Sequence, residues 1–188
     1  PPSITEAWRM AWKISFLRRI FAAMPFLAVS FVGFEGLNSL FLEAEFGLDV
    51  RARAIFGAAI MPLSLIGLII GARVGTRLLA RGPGLVLRFL ALTSVIQGCL
   101  YAIYALSPNL GIAFAAMATI TICGAILVPG MVTVLSMAAP PRARSMVFSI
   151  SSLWIIPGLL VLPFVGWIAD NWGIRYGMVV MLPIGVIG

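Results

Sequence analysis

FVGFEGLNSLFL (residues 31–42) is a run apolar enough for lipid, yet it carries Glu35 and Asn38 in its middle. An acid left unpaired at the centre of a bilayer costs about 2.5–3.5 kcal/mol on insertion scales. Glu35 lowers that cost in one of three ways: by facing water, by pairing with a cation from another segment, or by taking a proton. A carboxyl that titrates in a cavity is suited to carry a coupling proton or to hold a cationic substrate. A structural reading stands beside this one, with Glu35 hydrogen-bonded across helices or placed at the wet outer end of a cavity. Which reading holds depends on the solvent around the run.

The composition names that solvent. Of 188 residues, 62% are hydrophobic and only 10% charged, with a mean hydropathy of +1.11. Soluble domains carry about 25% charged residues. The chain therefore reads as an all-α integral membrane protein. It opens Pro1-Pro2 without Met and stops at Gly188 inside an apolar run, which predicts a piece of a longer polypeptide. No signal peptide is visible, because the first fifteen residues hold Trp, Arg and Lys instead of an apolar core.

About 20 apolar residues make a membrane helix. Candidate spans fall at residues 20–42, 54–79, 86–106, 110–138 and 146–169, with a sixth from about Tyr176 cut off at Gly188. Ser107-Pro108-Asn109, Arg81-Gly82-Pro83-Gly84 and Pro140-Pro141 punctuate short connections. Residues 1–19 form a cytoplasmic or interfacial lead-in helix, and residues 20–188 form the six-helix bundle. In the lead-in, Ser3 and Glu6 fit a capping box. Trp8 and Trp12 lie one turn apart, as do Arg9 and Lys13. The segment reads either as a plain helical approach to the first span or as a helix lying at the headgroups.

The net charge is +7, and its placement is informative. Ten basic residues fall on one side of the alternation: Arg9, Lys13, Arg18, Arg19, Arg73, Arg77, Arg81, Arg88, Arg142 and Arg144. Three fall on the other: Arg51, Arg53 and Arg175. Basic residues near span ends mark the cytoplasmic face, so the N-terminus is expected inside and the turn at Pro108 outside. Glu43, Glu45, Asp49 and Asp170 also fall outside. Twelve Arg against one Lys suits a GC-rich genome, hence a bacterial cytoplasmic (plasma) membrane.

Several classes are excluded. Without His, and with Cys99 and Cys123 in different spans, no zinc site is expected. No Walker sequence, no GxSxG and no paired carboxylates in one span occur, so an enzyme is not expected and no cofactor is implied. No basic aromatic face suggests nucleic acid.

Small residues and prolines mark the helices that pack or bend. Gly67, Gly71 and Gly75 share a face of the second span, either for ordinary close packing or as a sliding surface. Pro157, Gly158, Pro163 and Gly166 predict kinks in the fifth span, and bent membrane helices usually line protein or water. GARVGTRLLAR from Gly71 and GWIADNWGIRY from Gly166 align at an offset of 95 residues, three spans apart and on opposite sides. That is the mark of an inverted 3+3 repeat.

With these features in place, the chain resembles one six-helix half of a major facilitator superfamily (MFS) transporter, its last helix truncated. The resemblance rests first on PFVGWIADNWGIRYGM (residues 163–178), where Asp170, Gly173 and Arg175 match the family's Gly-Asp-Gly-Arg ending between fifth and sixth helices. FGLDVRARAIFG (residues 46–57) and the glycine-rich end of the second span add to it. The basic, Trp-containing lead-in is similar to the linker between halves, which favours the C-terminal half over the N-terminal one. Gly75 stands where the family's loop motif has an acid, and Leu162 and Trp167 stand where its antiporter motif has glycines.

The resemblance implies alternating access. The first and fourth spans would line a central cavity, the second and fifth would meet the other half of the same polypeptide, and the third and sixth would face lipid. Asp170, Gly173 and Arg175 would pin the outer loop or gate it. Helical periodicity agrees with the cavity assignment: at about 100° per residue, Glu35, Asn38 and Ser39 share an arc of about 100°. Thr119, Cys123, Gly130 and Thr133 of the fourth span share about 80° by the same arithmetic. Those side chains are either substrate contacts or glue between helices. The function expected is secondary active transport of a small molecule, with protons as a candidate coupling ion. The alternative is a non-transporting membrane scaffold, or a degenerate facilitator domain fused to another activity.

Overall fold

The computed structural model describes residues 4–141 and 144–187, and among them every regular element is helical. Five helices are long and apolar enough to cross a bilayer: span 1 (Leu17–Phe46), span 2 (Val50–Arg81), span 3 (Gly84–Ala105), span 4 (Leu110–Ala138) and span 5 (Arg144–Trp172). A sixth helix, Ile174–Ile187, has 14 residues, short of the 17 or so a span requires. The five full-length spans fall within a few residues of their expected positions.

Only 17–33% of the apolar window of each span is buried inside the chain. Residues such as Leu65, Ile66, Ile69, Leu92 and Leu160 stand outward. Apolar surface on this scale belongs against lipid or another protein surface, not water. The inward stripes form one large cluster around Phe34, Phe41, Tyr101, Tyr104, Met178 and Met181. A second cluster, around Leu17, Phe21, Leu135, Val147 and Ile150, closes the other end.

Local chemistry fixes the helix ends. Gly47 adopts the left-handed conformation at φ 63. Its N–H donates to the Glu43 carbonyl at 3.0 Å, and Leu48 N–H reaches back to Leu42 at 3.3 Å, a Schellman ending that closes span 1. Asp49 then caps span 2 by accepting from Ala52 N–H at 2.7 Å, and Asn109 caps span 4 by accepting from Ile112 N–H at 2.9 Å.

The lead-in is a separate helix, Ile4–Lys13, because Ile14 is extended (φ −85, ψ 105). Trp8 and Trp12 stack at 5.4 Å, and both stack on Trp154 of span 5, at 6.2 and 5.9 Å. The lead-in is thus tied to the fifth span as well as leading into the first. Ser3 of the expected capping box lies outside the described residues.

Three spans are not straight. Span 1 contains a π-turn, Val29–Gly33, just before Glu35. Span 5 breaks at residues 154–155 and 160–161, before Pro157 and Pro163, where the prolines predict it. Span 2 breaks at Met61-Pro62, which the sequence reading does not anticipate. Pro62 and Pro157 are 157 − 62 = 95 residues apart, the offset of the repeated glycine segments.

Packing follows the same correspondence. Span 2 packs on span 4, and span 5 on span 1. Span 3 packs on span 4, and the sixth helix on span 1. Spans 2 and 3 pair, as do span 5 and the sixth helix, and span 3 meets the sixth helix. Exchanging the first three helices for the last three leaves these contacts unchanged, whereas the smaller contact between spans 1 and 2 has no counterpart of its size between spans 4 and 5. Two close approaches occur at glycine. A Cβ on Gly67 would strike the Ile122 carbonyl of span 4, and a Cβ on Gly158 would strike the Pro25 carbonyl of span 1.

Span 3 keeps an outward side, with Leu92, Val95, Ile96 and Ile103 exposed, and carries a polar side inward. Thr93, Gln97, Tyr101 and Tyr104 are all buried. Polar side chains in a membrane helix seek partners inside the protein, and these turn span 3 toward spans 1 and 4.

Candidate functional site

Glu35 opens on a groove of about 410 Å³ walled by spans 1–4. Phe31, Phe34, Gln97, Tyr101, Thr121 and Gly124 are among its lining residues. The carboxylate is exposed to this space. Among the described residues no cation lies within ion-pairing distance of it. Of the three ways to lower its cost in the membrane, pairing inside the described chain drops out. Contact with water, protonation, or a cation from elsewhere remain.

Gln97 is the polar residue that the sequence reading missed. It is only 3% exposed. Its Nε2 donates to the Tyr101 hydroxyl at 2.8 Å, one helical turn away. Its Oε1 is buried with no hydrogen-bond partner. The signal was present in the sequence: Thr93, Gln97 and Tyr101 recur every four residues on one face of span 3.

The expected polar stripe of span 1 divides among three tasks. Glu35 faces the groove. Asn38 accepts a hydrogen bond from the Tyr104 hydroxyl of span 3. Ser39 accepts from Arg53 through its carbonyl at 3.0 Å and its Oγ at 3.1 Å, and Arg53 also pairs with Glu43 at 2.6 Å. Neither Asn38 nor Ser39 lines this groove. Both are held by neighbours that satisfy them.

Span 4 divides likewise. Thr119 and Thr133 return their hydroxyls to the carbonyls of Ala115 and Pro129, at 2.9 and 2.8 Å. Cys123 is buried in the bundle and lines neither groove. Thr133 lines a second, larger groove of about 700 Å³ with Gly71, Gly75 and Gly130, walled by spans 2, 3 and 4 and mainly apolar in its lining. Thr121 and Gly124, half a turn away from the expected stripe, are the span 4 residues that reach Glu35's groove.

Among the small residues, Gly67 and Gly158 sit against backbone, and a Cβ on Gly71 would lie 3.3 Å from the Ile126 Cα. Gly75 and Gly166 would present a Cβ to nothing within 4 Å. Close packing within this chain therefore accounts for the first three and not for the last two.

At the expected outer end, residues from three separate connections converge. Arg175 pairs with Glu45 at 2.8 Å and donates to the Ser107 carbonyl at 3.4 Å. It joins the end of span 1, the turn between spans 3 and 4, and the start of the sixth helix. Gly173, at φ 98, ends span 5 in front of it. Asp170 is exposed and makes no ion pair among the described residues. The pin is thus Arg175 to Glu45. Arg175→Gln is expected to lower stability by about 1 kcal/mol, and Asp170→Asn by less than about 0.5 kcal/mol. Thermal unfolding of both in detergent checks the order; equal losses would contradict this assignment.

No protein-family model, curated protein or solved structure matches the chain.

Proposed function

We propose that the chain is one half of a secondary transporter that moves a small molecule by alternating access, with the groove at Glu35 as part of the translocation path. The observation that carries this reading is an acid in the middle of an apolar span, with no cation paired to it among the described residues, opening on a groove shared by four spans. Intramembrane acids are rare and usually face substrate or ion pathways. The exchange symmetry of the packing and the paired breaks at Pro62 and Pro157 support an inverted 3+3 repeat. This reading places the N-terminus in the cytoplasm of a bacterium and gives the six helices to an MFS half, the C-terminal one. The remaining wall of the path comes from the other half of the same polypeptide.

In this mechanism Glu35 carries the coupling proton. The polar residues that line the groove with it are Ser64, Gln97, Tyr101 and Thr121, none of them a cation. Glu35→Gln in the full-length polypeptide, reconstituted in vesicles, is expected to lower proton-driven flux at least about tenfold and to flatten its pH profile. An unchanged rate with an unchanged profile would remove the carboxyl from coupling. If the wild-type polypeptide supported no flux under any imposed gradient, the scaffold reading would replace transport.

A further inference from the structure

We infer that the corner where the lead-in helix meets spans 1 and 5 is a binding surface for anionic phospholipid headgroups. The inference requires only that the long helices cross a bilayer, and it stands or falls apart from transport.

Five cations come together there. The lead-in helix, Ile4–Lys13, packs on the start of span 1 and along Arg144–Leu153 of span 5. That packing gathers Arg9 and Lys13 of the lead-in, Arg18 and Arg19 of span 1, and Arg144 of span 5. All five are exposed, and none makes an ion pair among the described residues. The same segments hold one acid, Glu6. This excess of positive charge complements a layer of phosphate groups, and basic residues beside a membrane helix attract anionic lipid.

Depth puts these cations at the headgroups and not in bulk water. Span 5 has 29 residues, about 43 Å if straight, against a hydrocarbon core of about 30 Å. Counted back from Asp170 at its far end, about 20 residues of core reach to about residue 150. Trp154 therefore lies near the opposite boundary, and Trp8 and Trp12 stack on it at 6.2 and 5.9 Å. Both rings stay partly exposed, at 38% and 39%, as suits indoles that sit at a membrane–water interface. Arg9 and Lys13 each follow a Trp by one residue, about 100° round the helix. Rings resting at the boundary thus hold two cations beside it.

Orientation of the chain does not by itself account for the corner. The facing ends of spans 2 and 3 carry a comparable charge in Arg73, Arg77, Arg81 and Arg88, all exposed. They have no Trp or Tyr within residues 72–90. Positive charge that only directs insertion needs no aromatic anchor, so this second group is an internal control.

A local reporter tests the inference. A nitrobenzoxadiazole fluorophore is attached to Ser15→Cys, an exposed position between the lead-in and span 1, as the sole cysteine of the full-length polypeptide. Phosphatidylcholine nanodiscs then receive an equal, small fraction of nitroxide-labelled phosphatidylglycerol or nitroxide-labelled phosphatidylcholine. At low salt the phosphatidylglycerol label is expected to quench about fivefold more effectively, because the corner enriches it. About 0.5 M KCl is expected to bring the ratio below about twofold. Arg9→Gln, Lys13→Gln, Arg18→Gln and Arg19→Gln together are expected to do the same at low salt. Neutralising Arg73, Arg77, Arg81 and Arg88 to Gln is expected to leave the fivefold ratio in place. Because basic residues also direct insertion, the salt titration repeats the test on unaltered charges.

A ratio near one for the unaltered charges at low salt would overturn the inference. Low, equal quenching by both labels would do so by showing that an acidic segment or another macromolecule covers the corner. A ratio that ignores salt would remove the electrostatic basis. An equal loss in the control variant would assign the enrichment to the chain's overall charge and not to this corner.

Discussion

Gly158→Ala is expected to lower the stability of the bundle by about 3 kcal/mol, the upper range for overpacking a tight core. The reason is the atom that the new methyl meets. It would run into the carbonyl of Pro25, with the Pro25 carbonyl carbon and Cα at 2.9 and 3.0 Å. A flexible side chain could swing aside, but a helix backbone moves only if span 5 separates from span 1. Gly67→Ala meets the Ile122 carbonyl of span 4 in the same way, with the Ala125 Cβ at 2.8 Å, and is expected to cost a similar amount. Gly75→Ala and Gly166→Ala are the controls. Their Cβ atoms meet nothing within 4 Å, and alanine is the better helix former by about 1 kcal/mol. They are expected to be neutral or slightly stabilising in this chain. Reversible unfolding in mixed micelles reads all four. Should Gly158→Ala and Gly166→Ala shift the midpoint alike, the glycine contacts would not be holding spans 1 and 5 together. Should Gly67→Ala and Gly158→Ala differ widely, the proposed repeat would lose its energetic counterpart.

These glycines show how far the sequence could be read. Spacing put Gly67, Gly71 and Gly75 on one face, and that much depends only on helix geometry. Which of them touches another backbone depends on where the neighbouring helix crosses, and a single chain's periodicity does not encode crossing points. Span positions were legible because about 20 apolar residues are a long-range signal that lipid imposes. The kinks at Pro157 and Pro163 were legible because proline lacks the donor that a helix needs. Pro62 carried the same signal and passed unread beside the glycines that follow it. The π-turn at Val29–Gly33 has no comparable residue signature, and it was not foreseen.

The polar residues were legible in kind and not in partner. Periodicity grouped Glu35, Asn38 and Ser39 on one arc, and the structure gives each a different neighbour: the groove, Tyr104 and Arg53. Tyr104 belongs to span 3 and Arg53 to span 2, while the groove is walled by four spans. An arc of about 100° is wide enough to touch all of them. Gln97 was overlooked for a different reason. An ionisable group inside a span draws notice, whereas a neutral amide in a 23-residue apolar helix dilutes into the hydropathy average. Counting polar side chains every fourth residue along span 3 would have recovered it.

Tyr104 should be the most sensitive aromatic side chain in the bundle. It is fully buried, lies 5.4 Å from Phe34 and 5.0 Å from Phe41 between ring centroids, and donates its hydroxyl to Asn38. Tyr104→Ala is expected to cost about 3–5 kcal/mol, the range for truncating a large buried aromatic. Tyr104→Phe keeps the ring and leaves Asn38 without its donor, and is expected to cost about 1–2 kcal/mol, as interhelical hydrogen bonds in membrane proteins do. Asn38→Leu removes the other partner. A double-mutant cycle between Tyr104→Phe and Asn38→Leu then isolates the bond, because each change alone strands one polar group and both together strand none. The double variant is expected to be more stable than the sum of the two single losses predicts. Strict additivity would mean that spans 1 and 3 are joined by their rings and not by this hydrogen bond. Since Asn38 sits less than one turn beyond Glu35 on the same helix, a loosened Asn38 would also rotate the carboxyl out of the groove. Flux through Tyr104→Phe would then fall further than its stability loss explains, and the pairing that keeps Asn38 out of the groove would be what aims Glu35 into it.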